Sequence, residues 1–152
     1  MKAQVLILNG QRKVKLNRDG IDAISRYVLG REGPKGRWQL SLYFVGDSKS
    51  RDLNREYLKR DVPTDVLAFS MREGPDADDG LLGDVVISTH RALANAERFG
   101  TSVEDEIARY IVHGVLHLLG YDDEGKEKER MREREEILLV EVRRRGWRSV
   151  AS

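Results

Sequence analysis

Thr101–Asp123 reads TSVEDEIARYIVHGVLHLLGYDD. Ile107, Ile111, Val112, Val115, Leu116, Leu118 and Leu119 recur at helical spacing and cover most faces of one helix, so the segment predicts a helix buried in a core. Thr101-x-x-Glu104 predicts its start as a capping box, and Gly120 marks its end. Working outward from this helix, strand-like and helix-like runs alternate toward the N-terminus. Trp38, Leu40, Leu42 and Phe44 alternate with Gln39, Ser41 and Tyr43, the clearest strand; Val5–Leu8, Val66–Phe69 and Val85–Ile87 are shorter candidates. Between them, Ile21, Ile24 and Val28 predict a helix from Asn17 or Asp19 to Gly30. Leu53, Tyr57 and Leu58 predict one opened by Asp47 or Ser48 and ended by Asp61-Val62-Pro63, and Ser88 or Thr89 opens another that Gly100 closes. The Gly/Asp-rich stretch Glu73–Gly80 predicts a loop. That order predicts an α/β fold with a small sheet of about four strands and helices packed over it.

The chain has 152 residues, a length that suits one domain, and residues 1–152 are taken as a single catalytic domain. Within it, Glu124–Arg145 carries dense charge and a thin apolar stripe of Met131, Ile137, Leu138 and Val142, so 124–152 is expected to be a charged helix and tail laid across the core. Cys is absent, which removes disulfides, thiol nucleophiles and cysteine-based zinc sites, so any metal must be held by His and carboxylates. Lys+Arg 27 against Asp+Glu 26 leaves a formal charge of +1, so a nucleic-acid footprint would have to be local. The apolar run after Met1-Lys2-Ala3-Gln4 is too short for a signal peptide or a membrane span, and the expectation is a soluble, cytoplasmic protein with no membrane partner.

His113 and His117 lie four apart on the buried helix, so their imidazoles stack on one face and suit neighbouring positions of one Zn²⁺. The Gly120 turn lets the chain double back, and Asp123 is the candidate third ligand. Three protein ligands and an open position make the catalytic form of a zinc site. The alternative is two core histidines, each hydrogen-bonded to a carbonyl. The His-x-x-x-His-x-x-Gly-x-x-Asp spacing is also similar to the metzincin peptidases, but Gly114 stands where those enzymes carry their general-base Glu. Arg51, Arg55 and Lys59 fall at i, i+4 and i+8, with Arg60 beside them, a basic stripe able to track phosphates or else only a solvated helix face. The Arg143-Arg144-Arg145 run is weaker and can simply oppose a helix dipole. His90 is an alternative ligand, with a surface position as the plainer reading.

HGVLHLLGYDD at 113–123, LNREYLKRDVPTDVLAFS at 53–70 and LLGDVVIS at 81–88 together resemble the YbeY family of bacterial metal-dependent endoribonucleases, whose signature runs roughly HGxLHLxGYDH after upstream PTDVLSF and LGDI. The resemblance implies a mostly parallel sheet with one antiparallel strand, hence a small mixed four-stranded sheet. It also implies a metal-dependent endoribonuclease, specific for single strands, in ribosomal RNA maturation and ribosome quality control, with ribosomal RNA and ribosomal proteins as partners. The family's zinc ligands fall on His113, His117 and Asp123, where Asp replaces His; a harder, charged ligand makes other divalent metals more competitive with zinc. The family's functional arginine aligns with Leu58, so Lys59 or Arg60 would have to supply that charge. Asp65 and Asp84, in the two upstream motifs, are candidate water-orienting carboxylates, with turn or cap roles as the alternative. Two other functions stay open: a zinc metallopeptidase, and a non-catalytic ribosome-associated RNA-binding module with a structural metal.

Overall fold

The computed structural model describes residues 2–60, 64–71, 80–122, 124–147 and 150–151. Asp123, Asp61-Val62-Pro63 and all of Glu73–Gly80 but Gly80 lie outside the described residues. The order of elements is β1 (Lys2–Asn9), α1 (Arg18–Glu32), β2 (Arg37–Val45), α2 (Asp47–Leu58), β3 (Val66–Ser70), β4 (Leu81–Ser88), α3 (Thr89–Phe99), α4 (Val103–Leu118), a 3₁₀ turn Gly125–Glu127, and α5 (Lys128–Arg144). The strands form one sheet in the order β1-β2-β4-β3, with β1, β2 and β4 parallel and β3 antiparallel at the edge. This is the mixed α/β sheet expected.

Period-two alternation in β2 decides which face is covered. Leu40, Leu42 and Phe44 are fully buried, and they stand in register with Val5, Ile7 and Asn9 of β1 on one side. On the other side Leu42 and Phe44 face Val85 and Ile87 of β4, so one apolar stripe runs across three strands. Helix α4 lies in the middle of the resulting core, in contact with α1, α3, α5, β3 and β4. Its Ile107, Ile111, Val112, Val115 and Leu116 are fully buried. Each such side chain contributes about 1.5–3 kcal/mol through removal from water, so α4 is the helix the fold least tolerates losing. A Cβ on Gly114 would meet Val85 Cγ1 at 2.5 Å. The absence of a side chain there is what lets α4 approach β4.

Several element ends differ from the sequence expectation, each for a local reason. Helix α1 passes through Gly30 to Glu32, because its packing on β1 and α4 outweighs the modest cost of an internal Gly; its N-cap is Asn17, whose side chain accepts from the Asp19 and Gly20 amides. The cap of α4 is Ser102 instead of Thr101: Ser102 Oγ accepts from the Asp105 amide at 3.1 Å, while the Thr101 hydroxyl donates to buried Glu106 at 2.7 Å. Helix α2 is capped by neither Asp47 nor Ser48. Gly46 takes the cap position, and the Asp47 amide donates to His90 Nδ1 at 3.1 Å. His90 is half-buried in this role and so is not a surface residue. Helix α2 ends at Leu58, and Lys59 turns left-handed with φ 60°, which takes it off the stripe of Arg51 and Arg55. In α5, Met131, Leu138, Leu139 and Val142 are buried but Ile137 is exposed; the place the stripe needed one turn after Met131 is taken by Glu135. No helix among the described residues is long and apolar enough to cross a membrane.

Candidate metal and substrate cleft

His113 and His117, both on α4, line one cleft of about 910 Å³, closed on its other sides by the C-terminal end of α2, the edge strand β3 and the turn after α4. His113 is half-buried and His117 is exposed. The turn is fixed by a Schellman arrangement, in which the Tyr121 amide returns to Leu116 O and the Gly120 amide to His117 O, both at 3.1 Å. Gly120 has φ +103°, a conformation L side chains rarely adopt. Tyr121 anchors the turn from outside: its hydroxyl donates to Glu32 Oε2 at 3.1 Å, and Arg134 pairs with the other oxygen of the same carboxylate. Burial, with Glu32 beside it, raises the pKa of this hydroxyl above the ordinary tyrosine value. The chain is therefore held in a tight reversal immediately before Asp122, which lines the cleft and accepts from the Glu124 amide at 3.0 Å. Asp123, the expected third ligand, lies outside the described residues. Among the described residues no third His, Asp or Glu joins the two histidines in a metal-sized group.

The feature that sequence reasoning missed stands behind His113. Glu135 of α5, with its side chain only 10% exposed, holds His113 Nδ1 at 3.0 Å, and its second oxygen accepts from Arg109 at 3.1 Å. Arg109 also donates to Glu136 at 2.6 Å. A carboxylate on the far nitrogen is the support that metal-ligating histidines need to fix tautomer and ring direction, so these side chains fit a divalent cation. The signal for Glu135 was present in the sequence. It occupies a buried-stripe position between Met131 and Leu138, where a carboxylate is costly unless it is paired.

The other candidates separate. Asp65 lines the same cleft at the mouth of β3; its Oδ1 accepts from the Val66 amide at 2.8 Å and its carbonyl from the Ser88 amide at 2.9 Å. Asp84 sits elsewhere. It lines a distinct hollow of about 490 Å³ with Ser41, Tyr43, Lys49 and Val86. Of the basic residues, Arg60 lines the histidine cleft beside Leu58. Lys59 is turned off, its Nζ donating to Glu56 O at 3.2 Å, and Arg55 is engaged with Asp52 at 3.0 Å on an exposed face. Arg51 is exposed and does not line the cleft. Deep beside the cleft, Tyr110 accepts from Asn95 at 2.7 Å, and burial pushes its hydroxyl pKa well above the usual range, with Asp65 and Glu106 adding to the shift.

A family model described as Endoribonuclease YbeY matches residues 6–143. A protein of Pelotomaculum thermopropionicum named Endoribonuclease YbeY is 43% identical over 143 residues, covering 89% of this chain and 94% of that protein. One of the same name from Aquifex aeolicus is 41% identical, covering 93% of each. The solution structure of TM1509 from Thermotoga maritima superposes with a TM-score of 0.64 at 24% identity, over 91% of this chain and 89% of that one, a likeness of fold. With the family model matching from β1 into α5 and relatives above 40% identity over nearly their whole length, the chain belongs to the Endoribonuclease YbeY family.

Proposed function

We propose that the protein is a metal-dependent endoribonuclease that cuts single-stranded regions of ribosomal RNA during ribosome maturation and quality control. It works in the cytoplasm among ribosomal proteins, with one ion, zinc in the leading reading, held by His113, His117 and Asp123. The observation that carries the reading is the two imidazoles sharing one cleft with a carboxylate behind His113. The names of the relatives supply the substrate class. A divalent cation there would supply Lewis acidity to a phosphodiester. Arg60 is the group to hold a phosphate across the cleft, as a permanently charged fork that matches phosphate oxygens. It takes the place that Leu58 leaves without charge. Asp65, with Oδ1 held by the Val66 amide, has Oδ2 to orient a water and receive its proton. Asp84, which lines the neighbouring hollow, is not among the groups proposed to act in this chemistry.

The peptidase alternative fails at Gly114, since a glutamate there would have to displace Val85. Cleavage of RNA and of casein, each with and without chelator, separates the readings: chelator-sensitive cleavage of RNA alone is expected. Casein cleavage would restore the peptidase, and no cleavage with zinc, manganese or magnesium would leave a binding module. His117→Ala should lose its metal by elemental analysis; full occupancy in that variant would remove the ligand set. Asp123→His should tighten zinc binding, and weaker binding would count against Asp123 as the third ligand.

A further inference from the structure

The geometry points to Glu135 as the positioning residue of the site, fixing the His113 ring with Nδ1–H turned to α5 and Nε2 turned to the cleft. This inference deepens the metal reading above and rests on it for its purpose, though not for its test. Among the described residues, His113 alone borders both the histidine cleft and a second hollow of about 510 Å³ on its far side, which Arg109, Glu135 and Glu136 help to line. The imidazole is thus a wall between the two, and the hydrogen bond at 3.0 Å decides which nitrogen looks which way. Glu135 is itself held. Arg109 grips its second oxygen at 3.1 Å from the same helix that carries His113, one turn earlier, so carboxylate and imidazole are referenced to a common backbone. Packing of Met131, Leu138 and Val142 against the core fixes the helix from which Glu135 reaches. A carboxylate oxygen accepts where a ring N–H donates, so Glu135, held in place by the guanidinium, selects the Nδ1–H tautomer. A ring so fixed loses little freedom when its other nitrogen takes a ligand, and an anionic partner makes that nitrogen a better donor.

The test reads the ring directly. Long-range ¹H–¹⁵N spectra of the metal-free protein should show His113 as the Nδ1–H tautomer; Glu135→Gln, which keeps an acceptor oxygen in the same shape, should retain it, and Glu135→Ala should lose it. In zinc competition against a chromophoric chelator, Glu135→Ala should bind about 10–100-fold more weakly and Glu135→Gln fall between it and the parent. Because Arg109 keeps Glu136 as a partner, Glu135→Ala does not strand the guanidinium. A merely structural ion pair between α4 and α5 would lower thermal stability without moving the tautomer. An unchanged tautomer and zinc affinity within twofold of the parent in Glu135→Ala would overturn the assignment. If the parent takes up no zinc but its Nδ1–H tautomer depends on Glu135, the metal reading falls while the positioning of the ring stands.

Discussion

Gly114 shows how one missing side chain sets both the packing and the chemistry. A Cβ there would press on Val85 Cγ1 at 2.5 Å and on Val66 Cγ2 at 3.3 Å, and both belong to strands locked in register with one another's neighbours. Overpacking of this kind costs typically about 1–3 kcal/mol. Gly114→Ala should therefore lower the unfolding free energy obtained from urea denaturation, and the urea midpoint with it, even though alanine is the better helix former by about 1 kcal/mol. A midpoint equal to or above the parent's would mean that α4 can move off β4 freely. Gly114→Glu should unfold the protein or disorder the cleft without conferring peptidase activity. From sequence, Gly114 read as a missing general base; the structure adds that no general base fits there.

At the level of elements, the end of α2 decides which cation serves the cleft. Lys59 adopts the left-handed conformation, and the Arg60 amide closes back on Asn54 O at 3.3 Å, so the chain turns and Arg60 arrives in the cleft lining. A left-handed L residue costs roughly 1–2 kcal/mol that glycine avoids, part of which glycine's greater unfolded-state freedom takes back. Lys59→Gly should then stabilise by about 0.5–1 kcal/mol while leaving RNA affinity near the parent's, and Arg55→Ala should change neither. Arg60→Ala should weaken single-stranded RNA binding and make the salt dependence shallower by about 0.7 in log–log slope. Equal losses from all three would restore a continuous basic stripe. The stripe was legible in the sequence only as a helical period, and a period cannot show where a helix stops. The stop comes from a backbone turn at a lysine, a residue without the usual signature of glycine or asparagine. The strands, by contrast, were legible because alternation in β2 reports directly which face is covered.

Across the whole molecule, α4 carries the site on the same helix that fills the core, so chemistry and stability share one element. The histidine pair was legible because a four-residue spacing survives any packing, whereas Glu135 showed only as a carboxylate on a buried stripe, because the partner it holds depends on α5 lying over α4, a long-range contact that no local pattern encodes. The shared element has a consequence at high pH. Tyr110 is buried in α4 and its hydroxyl pKa is raised from the ordinary 10.0, chiefly by burial, with the charges of Asp65 and Glu106 adding to it. Tyr121, at the end of the same helix, is raised by burial and by Glu32. For a group whose folded pKa lies above its unfolded one, the unfolded chain releases the proton first, so the stabilisation is complete below the unfolded value and is lost as pH rises through the folded one. Stability should hold level up to about pH 10 and then fall steadily, with unfolding accompanied by tyrosinate absorbance. Unfolding free energies from urea denaturation between pH 8 and 11.5 check this. Tyr110→Phe should start lower at pH 8, because the Asn95 hydrogen bond is lost, by roughly 0.5–1.5 kcal/mol, but should fall less steeply above pH 10, so that the two curves converge. Parallel curves would mean that Tyr110 ionises as readily in the folded protein as in the unfolded chain, and that water reaches the core beside the cleft.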